Sequence, residues 1–475
     1  MKILFSATEA YPFIRTGGLG DVIGALSKEL GKLGEDVRVI IPKYKGIKED
    51  LKNKINYIKH IFVDVGWRHQ YCGIEELKVN NVQFYFIDNE YYFNRDNLYG
   101  YYDDAERFAF YDRAVLEILK AINWYPDIIH CNDWQCGMIP VLYKLEYRNK
   151  DEYPDIKFIY SIHNLLFQGN FGKEVLGELF GYDLQQFNNG GLSFNDGISY
   201  MKGGINYSEK VLTVSYTYAE EIKTPEYGEC MDELLRNKGG DLKGILNGID
   251  YEEYNPLTDE LIEKRYDIDS IENKMENKLA LQRELGLEEN KNIPIISIVS
   301  RLTSQKGIDL IKEIIDCVLT KEVQFVVLGT GEWEYEEFFK GLEKRYPNKV
   351  ATRITFDNKL SHKIYAGSDM FLMPSKFEPC GLGQLIALRY GNVPIVRETG
   401  GLKDTIEAYN KFEFTGNGFS FYNYSSIELK NCIFEALEIY KRKDEWSNLI
   451  KTAMSCDNSW KKSSLEYKRI YESFF

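Results

Sequence analysis

Residues 2–42 read KILFSATEAYPFIRTGGLGDVIGALSKELGKLGEDVRVIIP, and their pattern decides the fold class. Lys2–Ala7 is a short apolar run of the kind a strand buried on both faces requires, and Val37–Pro42 is a second. Between them, Leu19–Leu33 repeats its apolar residues at helical spacing. Strand, helix and strand in that order form a crossover unit, and repeated units build a parallel sheet covered by helices on both faces. The rhythm returns at Asp127–Cys131, Lys157–His163 and Lys210–Ser215. Residues 55–95 break it. Tyr57–Val65, Gly73–Val79 and Val82–Ile87 read as antiparallel hairpin strands inserted in this domain.

A second α/β series follows Gly244-Ile245-Leu246-Asn247-Gly248, with strands expected at Ile293–Val299, Val323–Leu328, Val350–Thr355, Met370–Met373 and Val393–Val396. The stretch 256–292 between the two series is charged and reads as rich in helix. A chain of 475 residues exceeds the ~250–300 at which single cores stop growing, so two domains are expected. The boundary is placed at 247/248. Residues 1–247 form a first doubly wound domain, and 248–456 form a second. The tail 457–475 carries the amphipathic segment Trp460–Phe475 and is assigned back to the first domain.

Composition narrows the function. Lys+Arg 59 against Asp+Glu 73 gives a formal net charge of -14, which repels nucleic acid and anionic lipid at long range. A small anion such as a nucleotide diphosphate stays compatible, through local Arg, Lys and helix ends. The apolar start, flanked by Lys2 and Glu9, is too short for an export signal or a membrane span. The eight cysteines form no Cys-x-x-Cys pair, so reduced thiols and a cytoplasmic location are expected. Five histidines, with no pair on one helix face, predict no metal site. The 35 tyrosines are read as compositional bias in preference to sugar-stacking platforms.

Thr16-Gly17-Gly18-Leu19-Gly20-Asp21 is echoed by Thr399-Gly400-Gly401-Leu402-Lys403-Asp404. Each opens a helix after a strand, where bare N–H groups and the helix dipole favour an anion. The spacing departs from the dinucleotide fingerprint, because the glycines do not follow the strand directly. Arg301 and Lys306, in Ser300-Arg301-Leu302-Thr303-Ser304-Gln305-Lys306-Gly307, lie at a strand's carboxyl end, where an open parallel sheet binds ligands. They read as a phosphate clamp; two solvated surface cations are the alternative. Glu378 precedes Pro379, so its backbone is extended, and a helix begins near Leu382. It reads as an acceptor for sugar hydroxyls or as a helix-capping acid. His163, at the end of a first-domain strand, reads equally as a site residue or a satisfied core histidine.

Together these motifs resemble the bacterial and plant glycogen (starch) synthases. The resemblance runs through Arg15-Thr16-Gly17-Gly18-Leu19, His163-Asn164-Leu165, Asn247-Gly248-Ile249-Asp250, Ser300 to Gly307, Phe377-Glu378-Pro379-Cys380-Gly381-Leu382 and Thr399 to Leu402, in the family's order. It implies a GT-B fold: two Rossmann-like domains facing across a deep cleft, with no cofactor. Glucose is expected to pass, with retention, from ADP-glucose to the non-reducing end of a glycogen-like α-1,4-glucan. The alternatives are a UDP-glucose-using transferase of the same fold and a glucan-binding protein without turnover. The family pattern implies catalytic roles for His163, Arg301, Lys306 and Glu378. It implies donor contacts at Arg15, Gly18, Asp21, Asn247, Lys278, Phe356, Cys380, Gly381, Leu382, Gly383, Gly400, Gly401 and Leu402. Four positions depart from the pattern. Arg15 replaces a usual lysine, Gly383 a threonine, Gln135 a histidine and Tyr216 a proline.

Overall fold

A computed structural model describes residues 1–475. The chain divides into two compact units, Met1–Leu246 with Trp460–Phe475, and Asn247–Ser459. The division thus falls one residue before the sequence boundary, and the returning tail begins at Trp460 in place of residue 457.

The first unit contains strands β1 (Lys2–Ser6), β2 (Asp36–Pro42), β3 (Asn56–Val65), β4 (Arg68–Val79), β5 (Val82–Asp88), β6 (Ile128–Asn132) and β7 (Lys157–Ile162). A small sheet follows, β8 (Asn170–Gly172), β9 (Ser193–Phe194) and β10 (Gly197–Ser199); β11 (Lys210–Thr213) and β12 (Leu242–Gly244) then complete the main sheet. Its order is β12-β11-β7-β6-β1-β2-β5-β4-β3. β5 runs parallel to β2, while β4 and β3 are antiparallel. Residues 55–95 are therefore no separate insertion. β5 is the third parallel strand, and the β3–β4 hairpin extends the same sheet. The alternation expected of such strands covers one face only: Val63 and Val65 are buried, while Phe62 and Asp64 face outward.

Residues 460–475 close this unit. The helix Trp460–Glu472 packs on the helix Gly18–Lys32, with Trp460, Tyr467, Ile470 and Tyr471 in the same apolar cluster as Ile3, Phe5 and Val22. The Ser463 hydroxyl donates to the Leu246 carbonyl at 2.5 Å, and Lys468 pairs with Glu35. The Tyr471 hydroxyl meets His130 Nδ1 at 2.8 Å, inside the sheet's core.

The second unit holds β13 (Ile295–Val299), β14 (Gln324–Leu328), β15 (Val350–Arg353), β16 (Met370–Met373), β17 (Val393–Arg397) and β18 (Phe419–Phe421). All are parallel, in the order β15-β14-β13-β16-β17-β18. Numbered along the unit, that order is three-two-one-four-five-six, the Rossmann arrangement. Residues 256–270 are mostly turns; the helix expected between the series is confined to Lys274–Leu285. The topology fixes where ligands belong. Strand order reverses between β1 and β6 in one unit and between β13 and β16 in the other, and a crevice opens at the carboxyl ends of each pair.

Candidate active site

In the second unit the loops leaving β13 and β16 meet at the switch point. After β13, Leu302 is fully buried and its N–H donates to the Thr330 carbonyl at 2.9 Å. That anchors the loop while leaving Arg301 exposed, its guanidinium in no ion pair. The loop turns at Gly307, whose φ is +71° and where a Cβ would collide with the Pro374 carbonyl; only glycine fits. Lys376 N–H donates to the Gln305 carbonyl at 2.8 Å, and Gln305 Nε2 to the Phe377 carbonyl at 3.2 Å. So stitched, the two loops bring Lys306 Nζ to 2.6 Å from Glu378 Oε2. The buried Ser375 hydroxyl donates to the same oxygen at 3.0 Å. One carboxylate oxygen is thus committed and Oε1 is left to accept from a ligand.

The second glycine pair sits directly on this loop. Gly400 has φ +44°, and a Cβ there would strike the Glu378 carbonyl; one on Gly401 would strike the Cys380 carbonyl. Gly401 N–H donates to the Glu378 carbonyl at 3.2 Å. These glycines admit a neighbouring backbone, so their conformation is explained before any phosphate is invoked. Leu402 is wholly buried, its N–H bonded to the Thr399 carbonyl at 3.0 Å. Burial pushes the Cys380 thiol up to about 12, against the Asn247 N–H that it accepts. Asn247 Oδ1 is buried without a partner, an acceptor that lacks its usual compensation. Gly381, at φ +74°, and Leu382 lead into the helix Gly383–Arg389. A Cβ on Gly383 would lie 3.0 Å from the Phe371 ring, so the aromatic ring occupies room a threonine would need. Phe356, past the end of β15, is 81 % exposed.

In the first unit the loop after β1 is organised by a buried acid that the sequence reading passed over. Glu9 accepts from the Thr16 N–H, from the Thr16 hydroxyl at 2.8 Å and from the Tyr99 hydroxyl at 2.8 Å. This holds the chain just ahead of Gly17, around which an added Cβ would meet nothing within 4 Å. Gly18 opens the helix Gly18–Lys32, which has no side-chain cap. Arg15 Nη1 lies 2.5 Å from Asp21 Oδ1, and the guanidinium stacks over Tyr11 at 4.9 Å.

At the end of β6, Asp133 adopts φ +56°, costly for a non-glycine residue. Its carboxylate accepts the N–H groups of His163, at 2.8 Å, and Asn164. Burial pushes that carboxyl up to about 7, opposed by these two bonds. His163 Nε2 lies 2.9 Å from Asn132 Oδ1. The Asn132 amide nitrogen is spent on the Ser6 and His130 carbonyls, so the imidazole donates. Burial pushes His163 down to about 4, which keeps the ring neutral near pH 7. Gln135 is 6 % exposed, and its Oε1 has no partner.

Residues 2–237 match the family described as "Starch synthase catalytic domain", and residues 280–452 match "Glycosyl transferases group 1". The chain is 61% identical over 473 residues to the glycogen synthase of Clostridium botulinum (strain Alaska E43 / Type E3), covering 99% of each. It is 50% identical over 472 residues to that of Anoxybacillus flavithermus (strain DSM 21510 / WK1), with 99% and 98% covered. The catalytic domain of starch synthase IV from Arabidopsis thaliana, solved bound to ADP and acarbose, superposes with a TM-score of 0.92 at 33% identity over 99% of each chain. The chain belongs to the glycogen synthase family. Its two Rossmann-like units make the fold GT-B, and it is a glycosyltransferase. A sucrose-phosphate synthase from Thermosynechococcus elongatus, at 16% identity and a TM-score of 0.62, shares that fold.

Within the second unit, one residue implied by family resemblance stands away from the switch point. Lys278 is buried in an ion pair with Asp369, 2.8 Å away, and donates to the Tyr440 hydroxyl at 2.7 Å. Asp369 precedes β16 and accepts the Ile295 N–H at the start of β13. Lys278 therefore belongs to the amino ends of the strands, opposite Arg301, Lys306 and Glu378. A lysine so buried would be costly without its partner; here it ties the helix Lys274–Leu285 to the sheet.

Proposed function

We propose that the protein transfers glucose, with retention, from ADP-glucose to the non-reducing end of an α-1,4-glucan. The observation that carries this reading is the Lys306–Glu378 pair beside the unpaired Arg301, at the switch point of the second unit. Arg301 and Lys306 bind the diphosphate, and Glu378 accepts from the glucosyl hydroxyls through its uncommitted oxygen. The ADP of the starch synthase IV complex is the leaving group of the proposed donor. Phe356 offers an apolar ring to a purine.

The C1–O bond to the diphosphate breaks, and an acceptor O4–C1 bond forms on the same face. The acceptor's hydroxyl proton passes to the departing phosphate oxygen, so ADP leaves without a protein nucleophile. Arg301 and Lys306 stabilise the charge that grows on the diphosphate. His163, neutral and oriented by Asn132 and Asp133, presents its carbonyl or ring to the positive anomeric carbon. In the first unit, Arg15, Asp21 and Gly18 are the donor contacts that the family resemblance implies. No cofactor is required by these steps. No helix is long and apolar enough to cross a membrane, and eight free cysteines support a cytoplasmic setting.

The test is incubation with ADP-glucose or UDP-glucose, with and without glycogen, following released nucleoside diphosphate. ADP release that requires glycogen and exceeds UDP release is expected. Equal or faster release from UDP-glucose would replace the donor. Retention on glycogen without release from either would leave a glucan-binding protein.

A further inference from the structure

β3 is the last strand of the nine-stranded sheet, and its outer side has no neighbouring strand. An open edge offers backbone N–H and C=O groups to any second strand, and proteins blunt it with proline, lysine, bulges or brevity. β3 is ten residues long, NYIKHIFVDV, and holds no proline. Its lysine, Lys59, and its register shift, between Tyr57 and Lys59, both lie near its start. The edge from His60 to Val65 carries none of these devices.

The turn after β3 fixes which groups face outward. Val65 pairs with Arg68 across the two-residue loop Gly66-Trp67, with Gly66 at φ +57°. Residues that flank such a loop exchange both backbone hydrogen bonds. Alternation then turns the backbone groups of Val65, Val63 and Ile61 toward β4, and those of Asp64, Phe62 and His60 toward the open edge. The side chains of these last three are exposed, while Val63 and Val65 are buried. Phe62 is 52 % exposed and stacks on His69, with ring centroids 4.6 Å apart. His60 stacks on Tyr71 at 5.5 Å, and its Nδ1 lies 2.8 Å from the Tyr57 hydroxyl. When the tyrosine donates, Nε2 carries the ring's proton and is left to donate in turn. Asp64 meets His69 through Oδ1 at 2.6 Å, which leaves Oδ2 to accept.

This order of residues is complementary to itself. When a second copy lies antiparallel with Phe62 opposite Phe62, His60 falls opposite Asp64 on both sides of the axis. The proton-bearing Nε2 of each histidine then faces the uncommitted Oδ2 of the opposite aspartate. The outward backbone groups of His60, Phe62 and Asp64 all enter hydrogen-bonded pairs, and Ile61 comes opposite Val63 on the inner face. The neighbouring register, with Phe62 opposite His60, puts Asp64 against Ile58 and loses both charged pairs. We infer that the β3 edge is a homodimer interface, in which two first units join their sheets antiparallel around Phe62. A two-fold contact of this kind uses the same patch on both copies and closes at two. The sheet's other edge, β12, is only three residues long, which offers little to a third chain. One pair of strands buries less than the ~1,200–2,000 Å² of a stable interface, so the dimer is concentration-dependent.

Sedimentation velocity of the full chain across a dilution series is expected to show a monomer–dimer equilibrium. Phe62→Pro removes the central outward N–H and spares the bonds to β4, so it should abolish the dimer. His60→Asp sets two carboxylates against each other, and Asp64→Lys sets a lysine against a histidine. Each alone should weaken association by about tenfold or more. An equimolar mixture of these two variants should dimerise again, because each supplies the charge that the other lacks. Native melting temperatures in all three variants separate lost association from lost folding. A native chain that stays monomeric at every concentration overturns the interface. So does a dimer that survives all three substitutions, or a mixture of natively melting variants that stays monomeric.

Discussion

Glu378 Oε2 lies 2.6 Å from Lys306 Nζ, so these two charges at the second unit's switch point offset each other and leave Arg301 as the surplus cation. Both side chains are mostly buried, at 15 % and 7 % exposure. Removing one leaves the other charge without compensation. Lys306→Ala and Glu378→Ala are each expected to lower kcat by about 10²-fold or more. The double substitution should cost far less than the product of the two, because the second change removes a partner already lost. Strictly multiplicative losses in steady-state kinetics would mean that the two groups act independently.

Arg301 offers the contrast. It is exposed and in no ion pair, so Arg301→Ala should leave the thermal midpoint within measurement error of the native protein. The same substitution should depress turnover by about 10²-fold, since a charge aimed at a departing diphosphate acts mainly in the transition state. A normal rate would reduce Arg301 to a solvated surface cation.

Arg15 is tied to Asp21 at 2.5 Å and stacked on Tyr11. Arg15→Lys keeps the charge and loses the planar stack, so a mild rise in donor KM is expected. Arg15→Ala should raise that constant further and leave glycogen binding unchanged. Unchanged donor kinetics in the alanine variant would place Arg15 outside the donor's reach.

The two glycine pairs should respond differently to alanine. Gly400 has a left-handed backbone, and a Cβ would collide with the Glu378 carbonyl, so Gly400→Ala should lower the melting temperature and displace Glu378. Gly17 is extended, φ -164°, with open space around it. Gly17→Ala should fold normally and, if the donor approaches that backbone, raise only the donor KM. Calorimetry and kinetics on both variants separate a structural glycine from a ligand-facing one.

Buried ionisable groups set opposite pH dependences. Burial pushes His130 down to about 3 and His163 down to about 4, against an ordinary 6.5. Between those values the unfolded chain holds protons that the native one refuses, so these groups cost stability as pH falls below 6.5. Asp133, raised to about 7 from 3.8, works the other way. The native state keeps a proton that the unfolded chain has released, and stability is lost as pH rises from 3.8 toward 7. Relative to the native protein, Asp133→Asn should therefore gain denaturant resistance with rising pH across that window, and no further above it. Constant relative midpoints from about pH 4 to about pH 8 would show that the carboxyl titrates alike in both states.

Sheet and switch points were legible because each parallel strand, buried on both faces, leaves an unbroken apolar run such as Ile295–Val299. β12 and β18, three residues each, escaped for want of a run long enough to stand out. Lys278 misled because a lysine written beside acids and asparagines looks the same whether it faces a ligand or a buried aspartate. Its partner Asp369 is distant in sequence, and only the fold decides between the sheet's two edges. Glu9 and Asp133 were passed over for a related reason. Each accepts from a group distant in sequence, Glu9 from the Tyr99 hydroxyl and Asp133 from the His163 N–H, which spacing along the chain does not bring together. A lone acid at the end of an apolar strand, as Glu9 is, was the one available signal.

The helix Trp460–Glu472 completes the first unit although it follows the second along the chain. During synthesis, residues 1–246 emerge long before Tyr471 can reach His130. At ~5–20 residues per second, translating the second unit takes roughly 10–50 s. Throughout that interval Ile3, Phe5 and Val22 lack the aromatic cover that the helix later supplies. A nascent chain of this length is therefore expected to need chaperone cover, and limited proteolysis of stalled chains should show the first unit becoming resistant only after the second has been made.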